Sequence, residues 1–507
     1  MRVHLAGYNV DTAVLRELLE KDKTRQDVTP EVISAAYARI SRDPRSIEEI
    51  RKEARREVEK ARKSNSTIIF KMGHHSVAEH AVFNFDIVGV SRLAMEEVEK
   101  FRLASYTEKS QRYITLDKDY VLPQEIEDSG LKDLFTETVA CQNEAYRALF
   151  TQLKEYVFTK NKALAQDAKN HTLLEGWAKE DARYVTSLAT ESQVGLTINA
   201  RNLELLLRRF ASHPLAEIRQ LGQAIYGQVA DIAPSIVIFH QANDRDAKTY
   251  PELEKNASRI FKNTKALRTF KAGEEVKLVE FTKDGDCIIA ASLLHSVSGL
   301  DFESCYKAAK KLSLKEKTEL FKSAWRNMQF YDSMLREFEY VNLTFNIVLS
   351  AACFGQLKRH RMATITTQPY NPDFGITVPE SIRAIGKEKY LRQITSASEK
   401  AYRAIRKKSS LAAPYVLTNA HRKRVLARVN AREMYHICRL REDAHAQWDI
   451  QNISRAMTVQ AKKAMPLVFA LAGGKDAYNE TYRRVFGALP KVTEAILPSS
   501  RKIRQEA

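Results

Sequence analysis

The chain has 507 residues, 44% of them hydrophobic, which is enough to bury more than one core and makes two or three globular units the expectation. A formal charge of +18 favours polyanionic ligands, a class that includes nucleotides, flavin phosphates, a polyglutamylated cofactor and nucleic acid. Five scattered cysteines (Cys141, Cys287, Cys305, Cys353, Cys438) without CxxC or metal spacing argue against a disulfide framework and a zinc site, and the lack of a signal segment or an eighteen-residue apolar run argues against secretion and membrane insertion; a reduced, cytoplasmic protein is expected.

In chain order, Val3-His4-Leu5-Ala6 reads as a strand and is followed by a short charged helix. Thr29 with Pro30 supplies a cap and first turn for EVISAAYARI. A further helix is expected from Asp43-Pro44 through IEEIRKEARREVEKARKS; its dense alternating charge suits a solvated face and is also the best candidate for a nucleic-acid surface. The stretch from Gly73 to Tyr113 organises the rest. It opens with His74, His75, Glu79 and His80, passes through a strand-like Val82, Phe83, Phe85 and Ile87, and ends in Ser105, Ser110, Arg112 and Tyr113. Two hydroxyls and a planar guanidinium suit a phosphate monoester, since both hydroxyls can donate and the Arg pairs bidentately with an anion without losing its charge. A polar helix end with a solvated Arg explains the same residues taken alone.

Residues from about 129 to 235 read as helices. Residues 241–265 turn polar and read as a linker, after which Val276 to Phe281 restarts a strand pattern. The second half echoes the first: Leu343-Thr344-Phe345-Asn346-Ile347 matches the strand-like segment around Phe83 and Phe85, Arg359-His360-Arg361 takes the place of Lys100-Phe101-Arg102, Ala413-Pro414-Tyr415-Val416 that of Ala182-Arg183-Tyr184-Val185, and Asn430-Ala431-Arg432 that of Asn199-Ala200-Arg201.

The order of these residues resembles the flavin-dependent thymidylate synthases, whose signature is RHRxxSxxxxSxRY preceded by an EHxxF segment. The resemblance implies an α+β fold, two tandem copies of the flavin-dependent thymidylate synthase fold with a sheet flanked by long helices, divided as module 1 over 1–240, a linker over 241–265 and module 2 over 266–507. It also exposes complementary losses. The first copy keeps Glu108, Ser110, Arg112 and Arg183, with Arg183 sixteen residues before Asn199, but has Lys100-Phe101-Arg102 where RHR belongs. The second keeps Gln356, Arg359, His360, Arg361, Asn430, Arg432, His436 and Arg441, but has Thr364, Pro369 and Asn371 where two Ser and an Arg belong, and Pro414 in place of Arg183.

Carried over residue by residue, the resemblance implies FAD held by Arg359, His360, Arg361, Asn430, Arg432, His436, Glu108 and Ser76, and dUMP held by Gln356, Ser110, Arg112, Arg183 and Arg209. It makes Arg441 the cation that stabilises the anion developing through N3 and O4 of the pyrimidine. Methylenetetrahydrofolate and NADPH are the implied co-substrates. In single-module relatives a homotetramer builds each site from neighbouring subunits, so the expectation here is a homodimer forming a pseudo-tetramer, with flavin-side residues from copy two and phosphate-side residues from copy one. No covalent Cys nucleophile is implied; Cys353 and Cys438 read as buried small hydrophobes on helices. Arg432 and His436 are four apart and share a helix face, and His436 stands equally as a satisfied core histidine. His360 between two Arg forms a cluster that an anion such as a flavin phosphate would neutralise. Three functional readings follow: a tandem thymidylate synthase, a methyltransferase for another uridine substrate, and a catalytically inactive basic module that binds nucleotides or RNA.

Overall fold

A computed structural model of the protein describes residues 1–12, 14–15, 28–39, 43–67, 74–112, 116, 119–262 and 274–491. The chain divides into two compact units, one of Met1–Thr269, Ser350–Arg361 and Tyr370–Arg422, the other of Phe270–Leu349, Met362–Pro369 and Lys423–Ala507. Two stretches of the second sequence copy therefore belong to the first unit.

The first unit carries a four-stranded antiparallel sheet ordered β1 (Arg2–Tyr8), β2 (Val82–Ser91), β4 (Glu191–Asn199), β3 (Ala104–Glu108). β2 buries Phe83, Phe85 and Ile87 and turns Asn84 and Asp86 out, the alternation expected of a strand with one face on a core. The expectation that residues 129–235 are all helical is corrected by β4, whose Ser192, Val194, Leu196 and Ile198 are buried at period two. Long helices around this stretch mask that short period. The charged helix expected after β1 lies mostly outside the described residues, and the helix Glu31–Arg39 follows Thr29-Pro30 as expected. The single helix expected from Asp43 is two, Ile47–Arg56 and Val58–Ser66, separated at Glu57. The first begins at Ser46, whose hydroxyl accepts from Glu49 N while the Glu49 carboxylate accepts from Ser46 N; Asp43 is instead engaged by Arg45. Within 241–265 a helix, Asp244–Ile260, is capped by Asn243, buries none of its residues and is tethered by Arg208 to Asp246 at 2.7 Å.

The second unit repeats the topology as β5 (Val276–Phe281), β6 (Asn342–Ser350), β8 (Arg422–Asn430), β7 (Thr364–Thr367). Register matches as well: Ser105 faces Thr197 and Glu108 faces Val194, just as Thr364 faces Arg428 and Thr367 faces Val425. Its core is aromatic, with Phe321, Trp325, Phe338, Tyr435 and Phe469 in sequential ring contact. Among the described residues no helix is long and apolar enough to cross a membrane.

Inside the first unit the two copies meet around a local two-fold. Leu188 N donates to Leu417 O at 2.8 Å and Asn419 N to Thr186 O at 2.9 Å; Ala189 N donates to Tyr415 O and Ala420 N to Tyr184 O, both at 3.0 Å. Each bond has its counterpart at the equivalent positions of the other copy, and Ser187 and Thr418, equivalent to each other, face across the centre. The long helices Lys132–Lys160 and Glu388–Arg406 pack together below this bridge, where Gln142 Nε2 donates to Ser398 Oγ and Val416 O at 2.7 and 2.8 Å.

Candidate active site

Each copy follows its second strand with a seven-residue helix, Arg92–Val98 or Ala351–Leu357, capped by a serine (Ser91 or Ser350) that accepts from the amide three residues on, at 3.0 Å in both. Such a cap satisfies one orphan N–H of the helix start. The first turn is also tied identically: Arg92 N and Leu93 N donate to Thr190 O and Leu188 O, Ala351 N and Ala352 N to His421 O and Asn419 O. These helices deliver Lys100-Phe101-Arg102 and Arg359-His360-Arg361 at equivalent places.

Glu108, at the end of β3, joins the two copies. Its Oε1 accepts from Arg92 at 2.8 Å and from Ser192 at 3.3 Å, and its Oε2 pairs with Arg359 at 3.3 Å. Burial alone would raise this carboxyl, but Arg92, Lys358 and Arg359 outweigh it and hold it at about 2. Arg92 is in turn kept above its ordinary value: burial opposes its charge, and Glu108, Glu96 and Glu99 override that. Arg361 donates to the carbonyls of Ala104 and Arg102, so its exposed guanidinium is anchored beside β3. His360 and Gln356 are buried, while the Arg359 side chain keeps 44% exposure.

The other half is the turn after β3. Ser110 Oγ accepts from Arg112 N at 3.2 Å, and Arg112 Nε lies 2.8 Å from Glu180. Arg183 is buried and donates through Nε to Glu180 O at 3.2 Å; burial lowers its pKa against the pull of Glu180. Its Nη2 and Gln111 Nε2 are buried donors with no hydrogen-bond partner among the described residues. Asn419, from copy two, links them by donating to Gln111 Oε1 at 3.1 Å and to Arg183 O at 3.2 Å. Buried donors left unpaired, a cationic one above all, are costly unless an acceptor arrives, and an anion is the acceptor that fits. Tyr113 lies outside the described residues.

The remaining candidates are placed differently. Arg209 is exposed, and its guanidinium sits 5.7 Å from the Phe101 ring, the residue standing where His360 stands in the other copy; among the described residues it is not joined to Ser110 or Arg112. Ser76 is exposed in the 3-10 turn His75–His80. Asn430, Arg432, His436 and Arg441 lie on or cap one helix of the second unit, Ala431–Arg441. Asn430 Oδ1 accepts from Glu433 N at 2.8 Å, the cap that Asn199 makes to Asn202 N at 3.0 Å in copy one. Arg432 pairs with Glu339 at 2.7 Å, as Arg201 pairs with Glu79 at 2.5 Å. Both features therefore serve the fold in each copy. His436 is exposed, which removes the core-histidine reading, and Arg441 is the last residue of the helix, partly buried. Cys353 and Cys438 are buried on helices, and burial, with Glu442 beside it, pushes the Cys438 thiol well up.

Sequence reasoning missed Arg92, Glu96, Glu99, Lys358, Gln111 and Asn419. The signal was available in a position-by-position comparison of the copies: Glu96 and Glu99 stand where copy two has Gly355 and Lys358.

A repeated sheet-and-helix unit, with Arg359 of one repeat held on the Glu108 carboxylate of the other, defines a tandem α+β protein. The family model described as thymidylate synthase complementing protein (Thy1) matches residues 24–235 and again 277–467; the chain belongs to that family. It is 31% identical over 212 residues to the flavin-dependent thymidylate synthase of Clostridium tetani, spanning 41% of this chain and 80% of that protein. To the one of Mycolicibacterium vanbaalenii it is 36% identical over 171 residues, 33% of this chain and 65% of that protein. A UPF0159 protein of Thermoplasma acidophilum is 23% identical over 444 residues, 80% of this chain and 86% of its own length, so the two-copy length recurs in a relative.

Proposed function

We propose that the protein is a FAD-dependent thymidylate synthase that converts dUMP to dTMP with methylenetetrahydrofolate as carbon donor and NADPH as reductant. The observation that carries this reading is the junction at Glu108: the Arg359–Arg361 segment of copy two is held against β3 of copy one, immediately before the Ser110–Arg112 turn, within a single unit. The losses in the two copies are complementary along the sequence, where random decay would not make them so.

Arg359, His360 and Arg361 would hold FAD, and the fit rests on two fixed cations with exposed guanidinium surface around a buried imidazole. Bound flavin would supply the hydride and carry the one-carbon unit. Glu108 acts on Arg359 by orienting it. Ser110, Arg112 and Arg183 would take the nucleotide phosphate, with Arg183 Nη2 and Gln111 Nε2, which have no hydrogen-bond partner among the described residues, as further donors to it. Gln356 would contact the base. Arg441 would stabilise the charge that builds on N3 and O4 as C5 becomes nucleophilic, an electrostatic contribution worth about 3 kcal/mol for one well-placed donor. The helix that bears Arg441 carries Asn430, Arg432 and His436, assigned to FAD by the resemblance alone. A homodimer and a cytoplasmic location accompany the reading.

The test is the visible spectrum of purified protein with a dTMP assay. The expected result is bound oxidised FAD, bleached by NADPH, with dTMP formed from dUMP and methylenetetrahydrofolate, and both signals lost in Arg361→Ala. Colourless protein that forms no dTMP yet binds RNA or nucleotides would overturn it in favour of the inactive binding module; flavin reduction with no turnover of dUMP would point to another uridine substrate.

A further inference from the structure

The charges at the centre of the first unit are distributed unequally between the copies. Glu96, Glu99 and Glu108, with Arg92, come from copy one; Lys358 and Arg359 come from copy two. Three carboxylates thus meet three cations, and neither copy is neutral without the other. Copy two has none of the acids: Gly355, Lys358 and Thr367 stand at the positions of Glu96, Glu99 and Glu108, and Ala351 at that of Arg92. The shared strand register and serine caps fix these equivalences.

Glu99 and Lys358 are the same position of the repeat. Each is the first residue after its seven-residue helix, and their side chains meet at 3.0 Å with 4% and 5% exposure. Around a two-fold, a position close to the centre meets its own equivalent. A pairing of copy one with copy one would therefore set a buried carboxylate against a carboxylate, and copy two with copy two an ammonium against an ammonium, each a juxtaposition costing far more than an opposite pair gains. Shape acts in the same direction. Arg92 lies against Gly355 so closely that a Cβ there would overlap its guanidinium, so a second copy one, with Glu96 at that place, would force the Arg92 side chain of its partner to move. Tyr370 completes the match, its hydroxyl donating to Glu96 at 2.6 Å.

We propose that this cluster is a pairing code: the surface formed by Glu96, Glu99 and Arg92 fits only the copy-two surface of Gly355 and Lys358, so each copy selects the other and rejects a second copy of itself. Specificity of this kind needs a repulsive element as well as an attractive one. The code stands whatever reaction the site performs, since it concerns which copies meet and not what they bind.

The test uses the full-length chain carrying Glu99→Lys, Lys358→Glu, or both. Each single variant creates a like-charged buried pair and is expected to lower the melting midpoint by about 10 °C or to become insoluble; the double reversal restores an opposite pair and is expected to recover most of that loss. Coexpressing the two single variants under different tags is the second arm. The lysine that Glu99→Lys introduces in one chain and the glutamate that Lys358→Glu introduces in the other can then form opposite pairs only between chains, so the coexpressed mixture is expected to regain most of the melting midpoint that each single variant loses when expressed alone. A double variant no more stable than the worse single, including one that is equally insoluble, overturns the proposal, and so does a coexpressed mixture no more stable than the single variants.

Discussion

Replacing Glu108 by Gln keeps the shape of the side chain and removes the charge that two arginines and a lysine surround. A buried carboxyl held at about 2 in place of its ordinary 4.5 corresponds to roughly 3 kcal/mol of folding free energy at neutral pH. Removing one partner of a buried ion pair costs about 3–5 kcal/mol, so the two estimates agree, and the melting midpoint should fall by about 10 °C. The sign of the pH dependence follows from the depressed folded-state pKa: this contribution is fully present above about pH 4.5 and is lost as pH falls towards 2. Thermal and chemical denaturation of wild type and Glu108→Gln across that window should therefore converge on acidification, with the difference largest near neutrality. Arg359, freed from Glu108, should also hold flavin less well. A variant within about 1 kcal/mol of wild type at pH 7, or a stability difference that does not shrink between pH 4.5 and 2, would refute the reasoning.

Two further outcomes are expected. Arg183→Ala removes the buried guanidinium proposed to meet the phosphate and should raise KM for dUMP by about ten- to a hundredfold, with kcat changed less; steady-state kinetics check it, and an unchanged KM would take Arg183 out of the phosphate site. Asn430→Ala should cost about 1 kcal/mol through loss of the helix cap, as Asn199→Ala should in copy one, whereas Asn430→Asp keeps the cap; urea denaturation measures the stabilities, and if Asn430→Asp also releases flavin, the amide nitrogen contacts the cofactor in addition to the cap.

Much of the fold was legible because local chemistry wrote it. The alternation in β2 and the apolar spacing of Lys132–Lys160 are short-range signals, and a duplicated chain repeats its motifs at constant offsets, so repetition itself was visible. The strand Glu191–Asn199 was not, since nine residues at period two carry little weight between long helices. In the candidate site, the residues proposed for the phosphate and flavin sides stand in the sequence as motif fragments. Yet a motif shows residue type and spacing and is blind to what a side chain already satisfies: Asn430 and Arg432 look like ligands in sequence, and in the fold they complete a helix cap and an ion pair that copy one also makes.

The amino-acid order alone determined that two copies exist and that each lost what the other kept, because both facts are comparisons between positions along one chain. Only the tertiary structure decided that Glu108 of one copy lies between Arg92 of its own copy and Arg359 of the other, and that Glu99 meets Lys358. The two contacts between copies join residues more than 250 positions apart, and nothing in local propensity constrains such separations. They arise where two equivalent helices meet around a two-fold and are held by the requirement that buried charge be neutralised.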